Sequence, residues 1–214
     1  MFWPINQFTT AAGAGLCENA LESLYKNLFC DKVLPLPGSI LKVDLVMNLV
    51  DSSCHTGIYV GNGRIVEMTN VGGTGIIKNV SKKFFLKNSS WRTGIFIYVA
   101  CGKKDGNLYP LAAPEIAERA LAAVGKRTKY DLINDNCHLF TESCIMGSPG
   151  SPPGMLTNVE TALIRKFRLA DPPPGSPSGL REIFAVKPQS WRIPYDVKTG
   201  ASPIYWMSTG WGRF

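Results

Sequence analysis

The sequence predicts an α+β fold in which an antiparallel sheet packs against helices, and three local patterns carry that expectation. An Asn62-Gly63 pair stands between two β-rich runs, Gly57–Val60 and Ile65–Met68, which is the strongest short-range hairpin signal. An Ala-rich segment from Pro114 to Lys126 carries Glu115 and Glu118 early and Lys126 late, the charge order a helix dipole favours. A second helix is expected to start near Asn136 or Cys137 and to run to about Ile145, where Gly147-Ser-Pro-Gly-Ser-Pro-Pro-Gly154 breaks it.

The remaining elements follow in chain order. Leu16, Ala20, Leu21, Leu24, Tyr25 and Leu28 recur at three- and four-residue spacing and predict a packing helix within residues 8–30. Pro35-Leu-Pro37-Gly38 punctuates the chain, and Ile40 to Leu49 reads as a strand pair or one bent strand. Gly75–Lys78 and Gly94–Ala100 are further strand candidates. After the break at residue 147, Leu156 to Leu169 is amphipathic, and the Pro/Gly-rich remainder carries Trp191, Trp206 and Trp211. Such large aromatics imply burial, so this otherwise irregular tail is expected to wrap the domain or to build its groove.

Composition limits the function classes. The chain has 214 residues, 45% hydrophobic and 18% charged, which suits one domain with an extension and excludes disorder, collagen and coiled coil. Lys and Arg number 23 against 16 Asp and Glu, a formal charge of +7, which favours an anionic partner. No dense basic block or known motif points to nucleic acid. The six cysteines form no C-x-x-C pair and no zinc-type spacing with histidine, so no metal and no cofactor is expected. The start lacks a standard secretory signal, and no apolar run nears the roughly 20 residues of a membrane span. The expected product is soluble, either cytoplasmic in its producer or exported by a dedicated secretion system.

Chemistry enters with Cys137 and His55. A cysteine at a helix N-terminus feels the partial positive charge of unpaired backbone N–H groups, which favours the nucleophilic thiolate. A nearby imidazole can hold the proton and return it to the leaving group. The surroundings sharpen this pairing. His55-Thr-Gly-Ile-Tyr-Val-Gly-Asn-Gly-Arg-Ile-Val-Glu67 resembles the catalytic His hairpin of the NlpC/P60 superfamily, and Tyr130-Asp-Leu-Ile-Asn-Asp-Asn-Cys137-His-Leu-Phe140 resembles the Asn-Cys-Glu-His-Phe box of its circularly permuted, lecithin:retinol acyltransferase-like branch. His precedes Cys here as it does there. The resemblance spans roughly residues 36–146 and implies a permuted papain-like fold with these as catalytic core; residues 1–35, expected to form an N-terminal helical segment, and 147–214, expected to pack on the core as an extension, fall outside it.

It also implies roles: Cys137 as nucleophile, His55 as general base, and Glu67 as the residue that orients the ring. A strict two-residue turn at Asn62-Gly63 would put Glu67 on the wrong hairpin face. A one-residue bulge at Gly63, setting Tyr59 opposite Glu67, would put Glu67 on the face of His55, and Asn70 is held in reserve as the third member. Tyr130 is an oxyanion candidate or a packing residue, Asn136 a supporting residue, and the Cys137 N–H the better oxyanion donor. His138 lies about a quarter-turn from the nucleophile and is expected to cap or to touch the surface. Cys144 reads as a second buried thiol, and Lys82–Lys87 with Trp91-Arg92 as a solvated loop over buried aromatics that could instead grip a membrane or polyanion.

The chain departs from the branch at two points. Glu67 stands where a second His is typical, and the box reads Cys137-His138-Leu139 where Cys-Glu-His is typical. A thiol hydrolase tolerates both changes. The leading expectation is therefore a cysteine peptidase or amidase acting on an anionic polymer, with the peptidoglycan stem peptide favoured, acting as an antibacterial effector with a cognate inhibitor. The alternatives are a phospholipid acyltransferase or phospholipase with peripheral membrane contact, and a non-catalytic interaction module on the same fold.

Overall fold

The computed structural model describes residues 32–45, 54–87, 92, 96–131, 136–169 and 203–212. The helix expected within residues 8–30 and Trp191 lie outside them. Within the described residues an antiparallel sheet dominates. Its strands are β1 (Ile40–Asp44), β2 (Cys54–Gly61), β3 (Arg64–Val71), β4 (Thr74–Ser81), β5 (Phe96–Lys104), β6 (Asn107–Pro110), β7 (Arg127–Lys129) and β8 (Tyr205–Gly212). They run in the order β6-β5-β1-β2-β3-β4-β7, with β8 also paired to β5. The helices are α1 (Lys82–Lys87), α2 (Pro114–Ala122), α3 (Cys137–Met146) and α4 (Leu156–Phe167).

Both faces of the sheet are covered, which is why its central strands are buried almost continuously instead of at every second residue. On one face Ile40, Ile58 and Val66 join Ile116, Phe140 and Leu163 from α2, α3 and α4. On the other, Leu41, Ile65 and Val99 meet Phe85 and Leu86 of α1 and Met207 of β8. Helix α3 is buried on nearly every side, with seven of its first eight residues and Ile145 beneath the surface or close to it. It is the central packing element, and its N-terminal residue is Cys137.

The hairpin forms as expected, but its bulge lies on the other strand. Asn62 and Gly63 both have positive φ, 51° and 69°, as a two-residue primed turn requires. Gly61 pairs with Arg64, whereas Tyr59 pairs with Ile65 and Ile58 with Val66, so the extra residue is Val60 of β2 and not Gly63. Continued along the strands, this register sets Gly57, not Tyr59, opposite Glu67. Glu67 still shares the face of His55, because one inserted residue on either strand reverses the same alternation.

Other differences have local causes. The run from Lys82 to Lys87 is a short helix with Phe85 and Leu86 buried and Phe84 exposed, not a loop. Helix α2 stops at Ala122, so its last-turn cation is Arg119 and not Lys126. Asp105 and Gly106, both at positive φ, turn β5 back into β6, a hairpin signal that the sequence contains and that we did not predict. Part of the tail is regular: Tyr205–Gly212 pairs with β5, and Trp206 Nε1 donates to Glu160 Oε1 at 2.8 Å.

Candidate active site

Asn136 caps α3. Its Oδ1 accepts the N–H groups of His138 at 2.9 Å and Leu139 at 3.2 Å, while its Nδ2 donates to Gly154 O at 2.8 Å. A β-carbon at Gly154 would come within 2.4 Å of that Oδ1, so glycine there is required by close approach. The cap takes the second and third N–H groups of the helix and leaves the Cys137 N–H at the helix tip, where the backbone dipole is positive.

The β2 strand meets that tip at Thr56. Its Oγ1 lies 3.2 Å from Cys137 O, 3.1 Å from His138 Nδ1 and 3.0 Å from Thr141 Oγ1. The Cys137 sulfur lies beside the Thr56 backbone N–H and the neighbouring His55 ring, both of which favour its thiolate. Eighty-two residues of chain separate His55 and Cys137, and the fold closes that distance. His55 Nε2 donates to Glu67 Oε2 at 2.8 Å, a carboxylate being acceptor only. The other ring nitrogen is left for the sulfur.

Burial makes these contacts strong. Cys137, His55 and Glu67 are 5%, 8% and 0% exposed, and the Phe85 ring lies 5.6 Å from that of His55. Burial alone would push the Cys137 thiol up; the charges of His138 and His55, the His55 hydrogen bond and the Thr56 N–H outweigh it and bring the thiol down to about 5. His55 is raised: burial lowers it and Arg92 opposes its charge, but Cys137 and Glu67 hold the proton on the ring. Glu67 is held below the ordinary carboxylate range, because His55 and Arg92 together outweigh its burial. By contrast burial pushes Cys54 and Cys101 up to about 12 and Cys144 to about 11. Cys137 thus stands apart from the other described thiols.

Of the expected site residues, the structure brings together Cys137, His55, Glu67 and Asn136. Asn70 is elsewhere: it is exposed, and its Oδ1 accepts the Gly73 N–H in the β3–β4 turn, three positions beyond the carboxylate and so on the other face of the strand. Tyr130 donates its backbone N–H to Gly73 O at 2.9 Å and packs against the core cluster. His138 is not at the surface; it is 9% exposed and bonded to Thr56, because α3 has no solvent face at that position. Arg92 is likewise buried, at 6% exposed, and binds Glu67 Oε2 through Nη2 at 2.9 Å and Phe85 O through Nη1.

Thr56 and Arg92 were missed as site residues. Alternation from His55 marks Thr56 as facing the helix, whereas nothing local distinguishes Arg92 from the basic run before it. Among the described residues no group of three or more His, Cys, Asp or Glu is placed to hold a metal. A cavity of about 700 Å³ lies at the far end of α3, lined by Met68, Ile77, Arg119, Phe140 and Cys144 among others, and none of Cys137, His55 and Glu67 borders it. No helix among the described residues is long and apolar enough to cross a membrane, which says nothing of β-barrels.

The arrangement offers an activated sulfur, a proton carrier held by a carboxylate, and the sulfur's own backbone N–H at the helix tip. These are the parts of acyl transfer through a thioester. The family model described as Lecithin retinol acyltransferase matches residues 37–150. No curated protein matches the chain.

Proposed function

The chain belongs to the lecithin retinol acyltransferase family, a family of papain-like cysteine enzymes of the acyltransferase and hydrolase type, and from that premise we propose that it moves the acyl group of a lipid ester through a thioester on Cys137. The observation that carries the reading is Cys137 at the N-terminus of α3 beside a His55 ring that Glu67 anchors at 2.8 Å, a setting that brings the thiol down to about 5.

The steps use this chain's own groups. The Cys137 thiolate attacks the ester carbonyl carbon, and the oxyanion is held by the Cys137 N–H at the helix tip. His55, protonated in the resting pair, gives its proton to the departing alcohol as the carbon–oxygen bond breaks and the thioester remains. An acceptor alcohol, amine or water then loses its proton to His55 and attacks the thioester. The second tetrahedral intermediate expels the thiolate and restores the starting ion pair.

Cleavage of wall-peptide amides would use the same acyl-enzyme. That reading rests on the two departures from the branch, at Glu67 and at His138-Leu139, and on the +7 charge, which an anionic lipid surface attracts equally. The family match therefore favours the lipid ester. The test is to incubate wild type and Cys137→Ala with phosphatidylcholine vesicles and, separately, with purified wall peptides. Fatty-acyl mass on the Cys137 peptide and Cys137-dependent loss of lipid are expected. New amines from the peptides with intact lipid would replace this reading by the amidase, and no turnover of either with an unreactive Cys137 would leave an interaction module.

A further inference from the structure

Glu67 is fully buried, yet only one of its oxygens is used: His55 Nε2 at 2.8 Å and Arg92 Nη2 at 2.9 Å converge on Oε2, while Oε1 has no hydrogen-bond partner among the described residues. Two cationic donors therefore share one acceptor when another is free. We propose that Arg92 is a positioning residue that sets the charge of the His55–Cys137 pair by sharing Glu67 Oε2.

The reasoning follows the charges. Thiolate, imidazolium and carboxylate in a row sum to minus one, and a net charge in a site this dry is costly to hold. The Arg92 guanidinium makes the row neutral. It also competes for the oxygen that holds the His55 N–H, and its own charge opposes a second cation nearby. Both effects ease release of the His55 proton, which acid catalysis of alcohol departure needs. Arg92 is itself fixed: Nη1 donates to Phe85 O, and the guanidinium carbon lies 5.5 Å from the centre of the Phe85 ring that faces His55. One side chain thus sets the angle of Glu67 and the shield over the imidazole.

The other charged groups nearby do not duplicate this role. Lys78 stands opposite Glu67 on β4 and forms no ion pair with it. Lys42 on β1 pairs with Asp44 at 3.6 Å. His138 lies on the sulfur side, where its charge acts on the Cys137 thiol and not on Glu67, and Cys54, kept neutral by burial, adds no charge.

The test reads the His55 ring directly. The chain has two histidines, so ring-proton NMR in a His138→Gln background reports His55 alone. Arg92→Met should raise the His55 titration midpoint by about one pH unit, and Arg92→Lys, which keeps charge but not the fork, should raise it by less than half of that. A folded Arg92→Met protein with an unmoved or lowered midpoint overturns the inference. If Arg92→Met does not fold, Glu67→Gln/Arg92→Met decides. Recovery of folding on removing both charges supports charge compensation, and no recovery overturns it. The inference rests on the proposed thioester chemistry, but the midpoint needs no substrate. A wild-type enzyme inert toward lipid esters with the midpoint shift intact sinks the functional reading and leaves the charge arrangement standing.

Discussion

The perturbation with the clearest signature is a change of pH on the alkylation of Cys137. With its thiol at about 5 instead of 9.0, roughly nine-tenths of the sulfur is already thiolate at about pH 6, and the fraction grows by only about a tenth up to pH 8. An ordinary thiol gains roughly 90-fold in thiolate over the same interval. The contrast is one of profile shape, so slow access to a thiol that is 5% exposed scales both ends equally and cancels.

Absolute rate is a weaker guide, because a thiolate of low basicity is a poorer nucleophile. With a Brønsted slope of about 0.4–0.5, a drop of about four pH units in the thiol costs roughly 40- to 100-fold per thiolate, against a gain of roughly 900-fold in thiolate at about pH 6. The net advantage there is roughly 10- to 20-fold before access is counted. The assay is iodoacetamide labelling for fixed times from about pH 5 to 9, read on the Cys137 peptide by mass spectrometry so that other thiols do not contribute. A rate varying less than about twofold between pH 6 and 8 is expected for wild type. His55→Ala and His138→Gln, each removing one imidazole that lowers the thiol, should restore part of the rise. A wild-type rate climbing about 90-fold over that interval would show an ordinary thiol and refute the ion-pair reasoning.

Further outcomes follow from the same contacts. Asn136→Ala removes two cap bonds and leaves Gly154 O without its donor; a loss of about 2–4 kcal/mol in urea unfolding is expected, with Cys137 alkylation at pH 6 slowed. Thr56→Val keeps the shape but deletes the hydroxyl between Cys137 O, His138 and Thr141; about 1–3 kcal/mol should be lost by the same measurement. Glu67 has a folded value below its unfolded one, so its contribution to stability is complete above the ordinary carboxylate range near 4.5 and is lost as pH falls through the folded value. Acid unfolding of wild type should therefore steepen below that range, and Glu67→Gln should be less stable at neutral pH with a flatter acid limb.

Much of the fold was legible because local and tertiary demands agree where the chain turns. Asn62-Gly63 supplies two positive φ angles, and the Asn136 cap with the break at Gly147 brackets α3. The side of the bulge was not legible. A residue inserted at Val60 or at Gly63 produces the same alternation at Glu67, and only pairing with the next strand separates them. The β8 strand was missed for a related reason. Tyr205–Gly212 has a partner more than a hundred residues earlier in β5, and its Gly and Ser positions look like loop until the edge they cover is known.

The site itself was legible only in part, and the division is physical. Cys137 and His55 are marked by backbone position, a helix start and a strand start, which sequence patterns report. Arg92 is marked by nothing local, since a buried arginine violates the rule that charged residues face water. That rule is broken here as a pair: the buried Glu67 meets both His55 and Arg92, and a guanidinium keeps its charge where an imidazole can titrate. From the sequence, then, a carboxylate expected beside a catalytic imidazole on a covered sheet face is itself a reason to look for an arginine brought in from elsewhere. In this chain that arginine is supplied by the stretch between α1 and β5, twenty-five residues beyond Glu67.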